Sequence, residues 1–117
     1  MAAVLVVDDD EPVRLVATGM LETLGCEVTA VASGREALEA LDSASFDIVF
    51  LDVGMPIMTG DEVFHRIRAH LPEQRIAFIT GYAEEDLSEL LDHKTWIVDK
   101  PFKIDALGKV LANVSAA

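Results

Sequence analysis

Asp52 ends an apolar run, Phe46-Asp47-Ile48-Val49-Phe50-Leu51, and the Val53-Gly54-Met55-Pro56 that follows cannot continue a strand. An earlier run, Val4-Leu5-Val6-Val7, ends the same way in Asp8-Asp9-Asp10, and two later apolar segments finish in Thr80 and Lys100. Carboxylates, a hydroxyl and an ammonium therefore stand where buried strands stop. If those strands are parallel neighbours, the groups share one pocket. Its chemistry suits a divalent cation and a phosphoryl group.

Carboxylates gathered this closely need a counter-charge. Two unit charges about 4 Å apart repel by about 4 kcal/mol at an effective dielectric of about 20. Mg²⁺ removes that cost and typically takes one or two carboxylates together with waters and phosphate oxygens. Asp8 and Asp9 read as part of such a site because Asp52 should lie beside them, whereas Asp10 and Glu11 read as the acidic start of a helix. A carboxylate at a strand end can attack phosphorus and form an acyl phosphate. Transfer then depends on positioning and electrostatics. Lys100 supplies charge, Thr80 a hydroxyl, and the amides after Asp52 further donors. Alone, Thr80 reads equally as a capping hydroxyl and Lys100 as a surface lysine; their joint placement at consecutive strand ends favours the site.

The elements that must position these groups alternate along the chain. Strands are expected at 4–7, 26–31, 46–51, 76–79 and 96–98. The first helix carries Val13, Val16, Ala17, Met20, Leu21 and Leu24 at helical spacing, with Pro12 near its start and Gly25 just past its end. The 26–31 segment alternates, with Glu27 and Thr29 between Cys26, Val28 and Ala30, as at a sheet edge. A short helix after Ser33-Gly34 turns Ala37, Leu38 and Leu41 inward, and another runs from Gly60 to about Ala69 on Val63, Phe64 and Ile67. A fourth spans 84 to about 92 with Leu87, Leu90 and Leu91, and Ile104, Leu107, Val110, Leu111 and Val114 stripe the last. Five strand–helix pairs predict an α/β fold, a five-stranded parallel sheet with helices on both faces and right-handed crossovers. The expected strand order is the flavodoxin-like 2-1-3-4-5, whose ligands bind beyond the carboxyl ends of the strands, at the switch point between strands one and three. Asp8, Asp9 and Asp52 fall there.

With 117 residues, 51% of them hydrophobic, the chain makes one domain whose core needs no disulfide. Cys26 is its single cysteine, which fits a reducing compartment, and it reads as a small buried apolar residue. The net charge of −12, from 21 acidic and 9 basic side chains, disfavours nucleic acid and anionic lipid as partners. No charged, apolar leader opens the chain, and no apolar run approaches the ~18–20 residues that cross a bilayer. The expectation is a soluble, cytoplasmic protein. His65 and His70 would stand about 140° apart on one helix and, with His93, form no convergent ligand set, so surface positions are expected.

Val6-Val7-Asp8-Asp9, Asp52 with Met55-Pro56 and Gly60, Thr80-Gly81, and Lys100-Pro101-Phe102 together resemble the receiver domain of two-component response regulators, over essentially the whole chain. The resemblance implies that Asp52 is the phosphoacceptor, loaded by a histidine kinase or a histidine phosphotransfer protein, and that a downstream protein target reads the result. It implies Mg²⁺ held by Asp8, Asp9, Asp52 and the backbone carbonyl of Gly54, with Thr80 and Lys100 on the phosphoryl group. It also implies a cis peptide between Lys100 and Pro101. Receivers usually carry an aromatic switch residue three places before the lysine; that place holds Ile97, and Trp96 should point to the other face. Gly54 and Tyr82 are candidates to tune self-dephosphorylation, Tyr82 by shielding the pocket. Thr80-Gly81-Tyr82-Ala83 resembles receivers associated with hybrid histidine kinases. The chain is expected to be a single receiver domain, 1–117, without an output domain, acting as a signalling switch rather than an enzyme.

Two other readings compete. One is a small Mg²⁺-dependent phosphatase with Asp8 as nucleophile and Asp10 as acid/base, although Pro12 departs from that motif and no cap domain is present. The other is a non-phosphorylated receiver-like binding module, against which the intact set Asp8, Asp9, Asp52, Thr80 and Lys100 argues.

Overall fold

The structure is a computed structural model that describes residues 2–54, 60–80, 94–100 and 102–116. In chain order the elements are β1 (Ala3–Val7), α1 (Glu11–Thr23), β2 (Glu27–Val31), α2 (Gly34–Ser43), β3 (Ile48–Asp52), α3 (Gly60–His70), β4 (Ile76–Thr80), β5 (Thr95–Asp99) and α4 (Ile104–Ala116). The helix expected at 84–92, with Leu87, Leu90 and Leu91, lies outside the described residues, as does His93. All four strand pairings are parallel and the order is β2-β1-β3-β4-β5. This is the expected doubly wound, flavodoxin-like arrangement.

The unbroken apolar runs of β1, β3 and β4 are what a sheet covered on both faces requires. Alternate residues feed two cores. Val4, Val6, Ile48, Phe50, Ala77 and Ile79 meet Ala17 and Leu21 of α1 and Leu107 and Val110 of α4. Leu5, Val7, Val49, Leu51, Ile76 and Phe78 meet Ala37 of α2 and Val63, Phe64 and Ile67 of α3. On β5, Trp96 packs with the first core and Ile97 with the second, the opposite facing that strand alternation requires.

Local chemistry sets the helix ends. Gly25, at φ +90°, reverses the chain after α1; its N–H donates to the Glu22 carbonyl while that of Cys26 reaches Leu21, closing a Schellman-type end. The Ser33 hydroxyl caps α2 by accepting from the Glu36 amide, and the Glu36 carboxylate accepts from the Ala32 N–H. Cys26 is buried, and burial pushes its thiol above the ordinary range.

Two apolar repeats are only partly buried. Val16 is 51% exposed and Leu24 39%. Ala17 and Leu21 stack on one line against the sheet, and Val16 stands about 100° round the helix from Ala17, while Leu24 follows the last helical turn as its cap. Ala30 of edge strand β2 is likewise exposed.

Candidate functional site

Strand register brings the chemistry together. Val7 of β1 lies beside Leu51 of β3, so the next residues, Asp8 and Asp52, emerge side by side. Asp52 pairs with Ile79, which places Thr80 one step further on the neighbouring strand. Thr80 pairs with Asp99, and the Lys100 amide donates to the Thr80 carbonyl at 2.8 Å. Asp8 is fully buried, Asp52 is 5% exposed and Thr80 1%. Asp9, beside them, is exposed.

Ligand oxygens of Asp8, Asp9 and Asp52 lie within 4.8 Å of one another. The Lys100 ammonium bridges two of these side chains, 3.2 Å from Asp8 Oδ2 and 3.2 Å from Asp52 Oδ1. Asp52 Oδ1 also accepts from the Gly54 N–H at 3.3 Å, and Asp8 Oδ1 from the Asp10 N–H at 2.9 Å. Three carboxylates against one ammonium leave a formal charge of −2, which one divalent cation would close. The donor set is all oxygen, as Mg²⁺ prefers. Asp8 Oδ2 is fully buried, with the Lys100 ammonium 3.2 Å away as its ion-pair partner. The oxygen donors and the residual charge together fit the ion.

Burial raises the Asp52 carboxyl above its ordinary value of 3.8, and the Asp8 charge adds to the rise; Lys100 and the Gly54 amide pull the other way and do not prevail. For Lys100 burial opposes the charge, yet Asp52 and Asp8 hold its ammonium above the usual 10.5. The Asp52 shift has a sign that can be checked. A carboxyl whose folded-state pKa is raised contributes stability below its unfolded value, and that contribution is lost as pH rises through the folded value. At neutral pH the ionised Asp52 therefore strains the fold. Asp52→Asn in EDTA is expected to be more stable than wild type by roughly 1–2 kcal/mol, since burial first and the Asp8 charge second disfavour the carboxylate and Lys100 offsets them only in part. Paired urea titrations should show the gap shrinking as pH falls toward 3.8 and on addition of Mg²⁺. A gap that widens on acidification would contradict the assignment.

Several expected site features fall elsewhere. Met55-Pro56, Tyr82 and Pro101, and with them the cis peptide after Lys100, lie outside the described residues. His65 and His70 are exposed, as expected. Asp10 caps α1 without a side-chain bond and Glu11 opens the helix. Asp8 is fully buried, its Oδ1 engaged by the Asp10 N–H and its Oδ2 ion-paired with Lys100. Two features escaped the sequence reading. The Arg14 guanidinium donates to the Asp8 carbonyl at 2.8 Å; its one signal was a basic residue in the first turn of a helix. Pro12, Val13, Val16 and Phe102 line an open apolar groove beside Lys100, which shows only when α1 and the segment after β5 are brought together.

Comparison with known proteins bears on the family and the fold. Residues 4–112 match the family described as response regulator receiver domain. The sensor kinase CckA of Brucella abortus is 36% identical over 110 residues, covering 91% of this chain and 12% of that protein. The autoinducer 1 sensor kinase/phosphatase LuxN of Vibrio campbellii is 31% identical over 114 residues, covering 94% of this chain and 13% of that protein. The chain thus spans only a small part of these relatives. Among solved structures, the chemotaxis response regulator CheY4 of Vibrio cholerae superposes with a TM-score of 0.87 at 34% identity, covering 97% of this chain and 98% of that one.

Proposed function

The chain belongs to the response regulator receiver domain family, and from that premise we propose that Asp52 is its phosphoacceptor, taking a phosphoryl group from a phosphohistidine of a kinase or phosphotransfer protein. The observation that carries the reading is the convergence of Asp8, Asp9 and Asp52 within 4.8 Å, with Lys100 bridging Asp8 and Asp52. No helix among the described residues is long and apolar enough to cross a membrane.

In the reaction, a carboxylate oxygen of Asp52 forms a bond to phosphorus as the phosphorus–nitrogen bond of the donor breaks. The leaving imidazole keeps that electron pair and takes up a proton. Asp8, Asp9, Asp52 and the Gly54 carbonyl would hold Mg²⁺. When bound, the ion supplies positive charge to phosphoryl oxygens and offsets the acidic cluster. Lys100, already 3.2 Å from Asp52 Oδ1, supplies a second positive charge, and Thr80 at the adjoining strand end supplies a hydroxyl. The Gly54 N–H orients the Asp52 carboxylate through its 3.3 Å contact. The apolar groove of Pro12, Val13, Val16 and Phe102 borders Lys100.

The phosphorylated domain would then signal by altered contacts with a downstream protein, as a switch rather than a catalyst of turnover. Ile97 in place of a ring means that such a change is not carried by the usual aromatic on β5. Tyr82 and Gly54 remain the candidates for setting the lifetime of the acyl phosphate, which the hydrolysis rate of labelled Tyr82→Ala would test.

Removal of the metal tests the reading. With acetyl phosphate and Mg²⁺, intact mass should rise by one phosphoryl group, and EDTA should reduce the rate by at least about 10²-fold, since transfer rests on charge neutralisation at the site. Equal labelling with and without EDTA would overturn the metal-dependent mechanism.

A further inference from the structure

Arg14 is placed against two general preferences. It lies in the first turn of α1, where the positive end of the helix dipole disfavours a cation. Its side chain is also only 19% exposed, and arginines are seldom so covered without a partner that holds them. The partner is the backbone carbonyl of Asp8, six residues earlier, which accepts from the guanidinium at 2.8 Å; Glu11 stands 3.9 Å from the other terminal nitrogen.

Besides its ion pair with Lys100, Asp8 is held by three hydrogen bonds. Its N–H donates to the Val31 carbonyl of β2 at 3.2 Å, its Oδ1 accepts from the Asp10 N–H, and its carbonyl is taken by Arg14. That carbonyl belongs to the peptide unit joining Asp8 to Asp9, so rotating the unit moves one carboxylate relative to the other. The N-cap Asp10 makes no side-chain bond to the helix, so the turn is held by the Asp8 side chain and by Arg14.

We propose that Arg14 is a positioning residue of the cation site, fixing the peptide between Asp8 and Asp9 so that both carboxylates face one ion. The inference rests on the reading of Asp8, Asp9 and Asp52 as Mg²⁺ ligands. It opposes the simplest electrostatic expectation. If Arg14 acted only through its charge, removing it would tighten cation binding; as a positioning group, its loss weakens binding.

The test is a titration with MgCl₂ followed by the backbone amide resonances of Asp9, Asp10 and Gly54, in wild type, Arg14→Met, Arg14→Lys and Asp9→Asn. Arg14→Met is expected to bind Mg²⁺ about tenfold more weakly, the low end of what a group orienting a metal ligand contributes. Its Asp9 and Asp10 resonances should already be displaced in the ion-free protein. Arg14→Lys, keeping a charge and one donor, should fall between the two. Urea midpoints in EDTA report any purely structural cost separately. Unchanged or tighter binding in Arg14→Met overturns the proposal, and if that variant does not fold, wild-type affinity in Arg14→Lys does so. Failure of wild type to bind, or undiminished binding by Asp9→Asn, would overturn the ligand assignment and this inference with it.

Discussion

Replacing Lys100 by methionine is expected to slow phosphorylation of Asp52 by about 10²–10³-fold, the usual cost of removing one group that stabilises charge in a transition state. Methionine keeps most of the stem and removes the ammonium. Two losses then add. The phosphoryl oxygens lose a positive charge next to the attacking carboxylate, and Asp8 and Asp52 lose the cation that stands 3.2 Å from each. The Asp52 carboxyl, already raised by burial, should rise further, so the onset of reactivity should move to higher pH. Mg²⁺ should meanwhile bind more tightly, because Lys100 occupies two of the oxygens the ion would use. Slower transfer with tighter metal is a signature that general unfolding cannot imitate. Rates from acetyl phosphate at saturating Mg²⁺ check it, and a rate within about threefold of wild type would show that Lys100 contributes no such charge.

The parts of this molecule legible in its sequence are those set by local rules. Apolar runs too long to alternate implied a sheet buried on both faces, and β1, β3 and β4 are such strands. The polar residues that ended those runs marked the site, because parallel strands in register present their ends together. Asp8, Asp52, Thr80 and Lys100 meet for that reason alone. Periodicity grouped Val16 with the other apolar residues of α1, although they do not share one buried face. Spacing groups residues on a broad stripe, but only the line of Ala17 and Leu21 is buried, and Val16 is 51% exposed.

Arg14 and the groove near Phe102 were illegible for a different reason. A side chain that reaches six residues back to a carbonyl, or a helix face that lies beside a segment far along the chain, obeys no period in the sequence. Only the packed chain shows them. Lys100 was legible as a strand-end cation, but its bridging of both aspartates was not. The sequence reading assigned all the neutralising charge to a metal ion, whereas the fold provides part of it. That partial neutralisation offsets some of the repulsion among the three carboxylates and leaves a formal −2 to attract a divalent cation.

The central claim is that Asp52 accepts phosphorus, and intact-mass analysis of wild type and Asp52→Asn after incubation with acetyl phosphate and Mg²⁺ tests it most directly. Asparagine preserves the shape of the side chain and removes the nucleophilic charge, so the comparison isolates the chemistry from the fold. Wild type should gain one phosphoryl group, with fragment masses placing it on Asp52, and Asp52→Asn should gain none. Equal labelling of the two proteins, or a wild type that stays unlabelled, would contradict it.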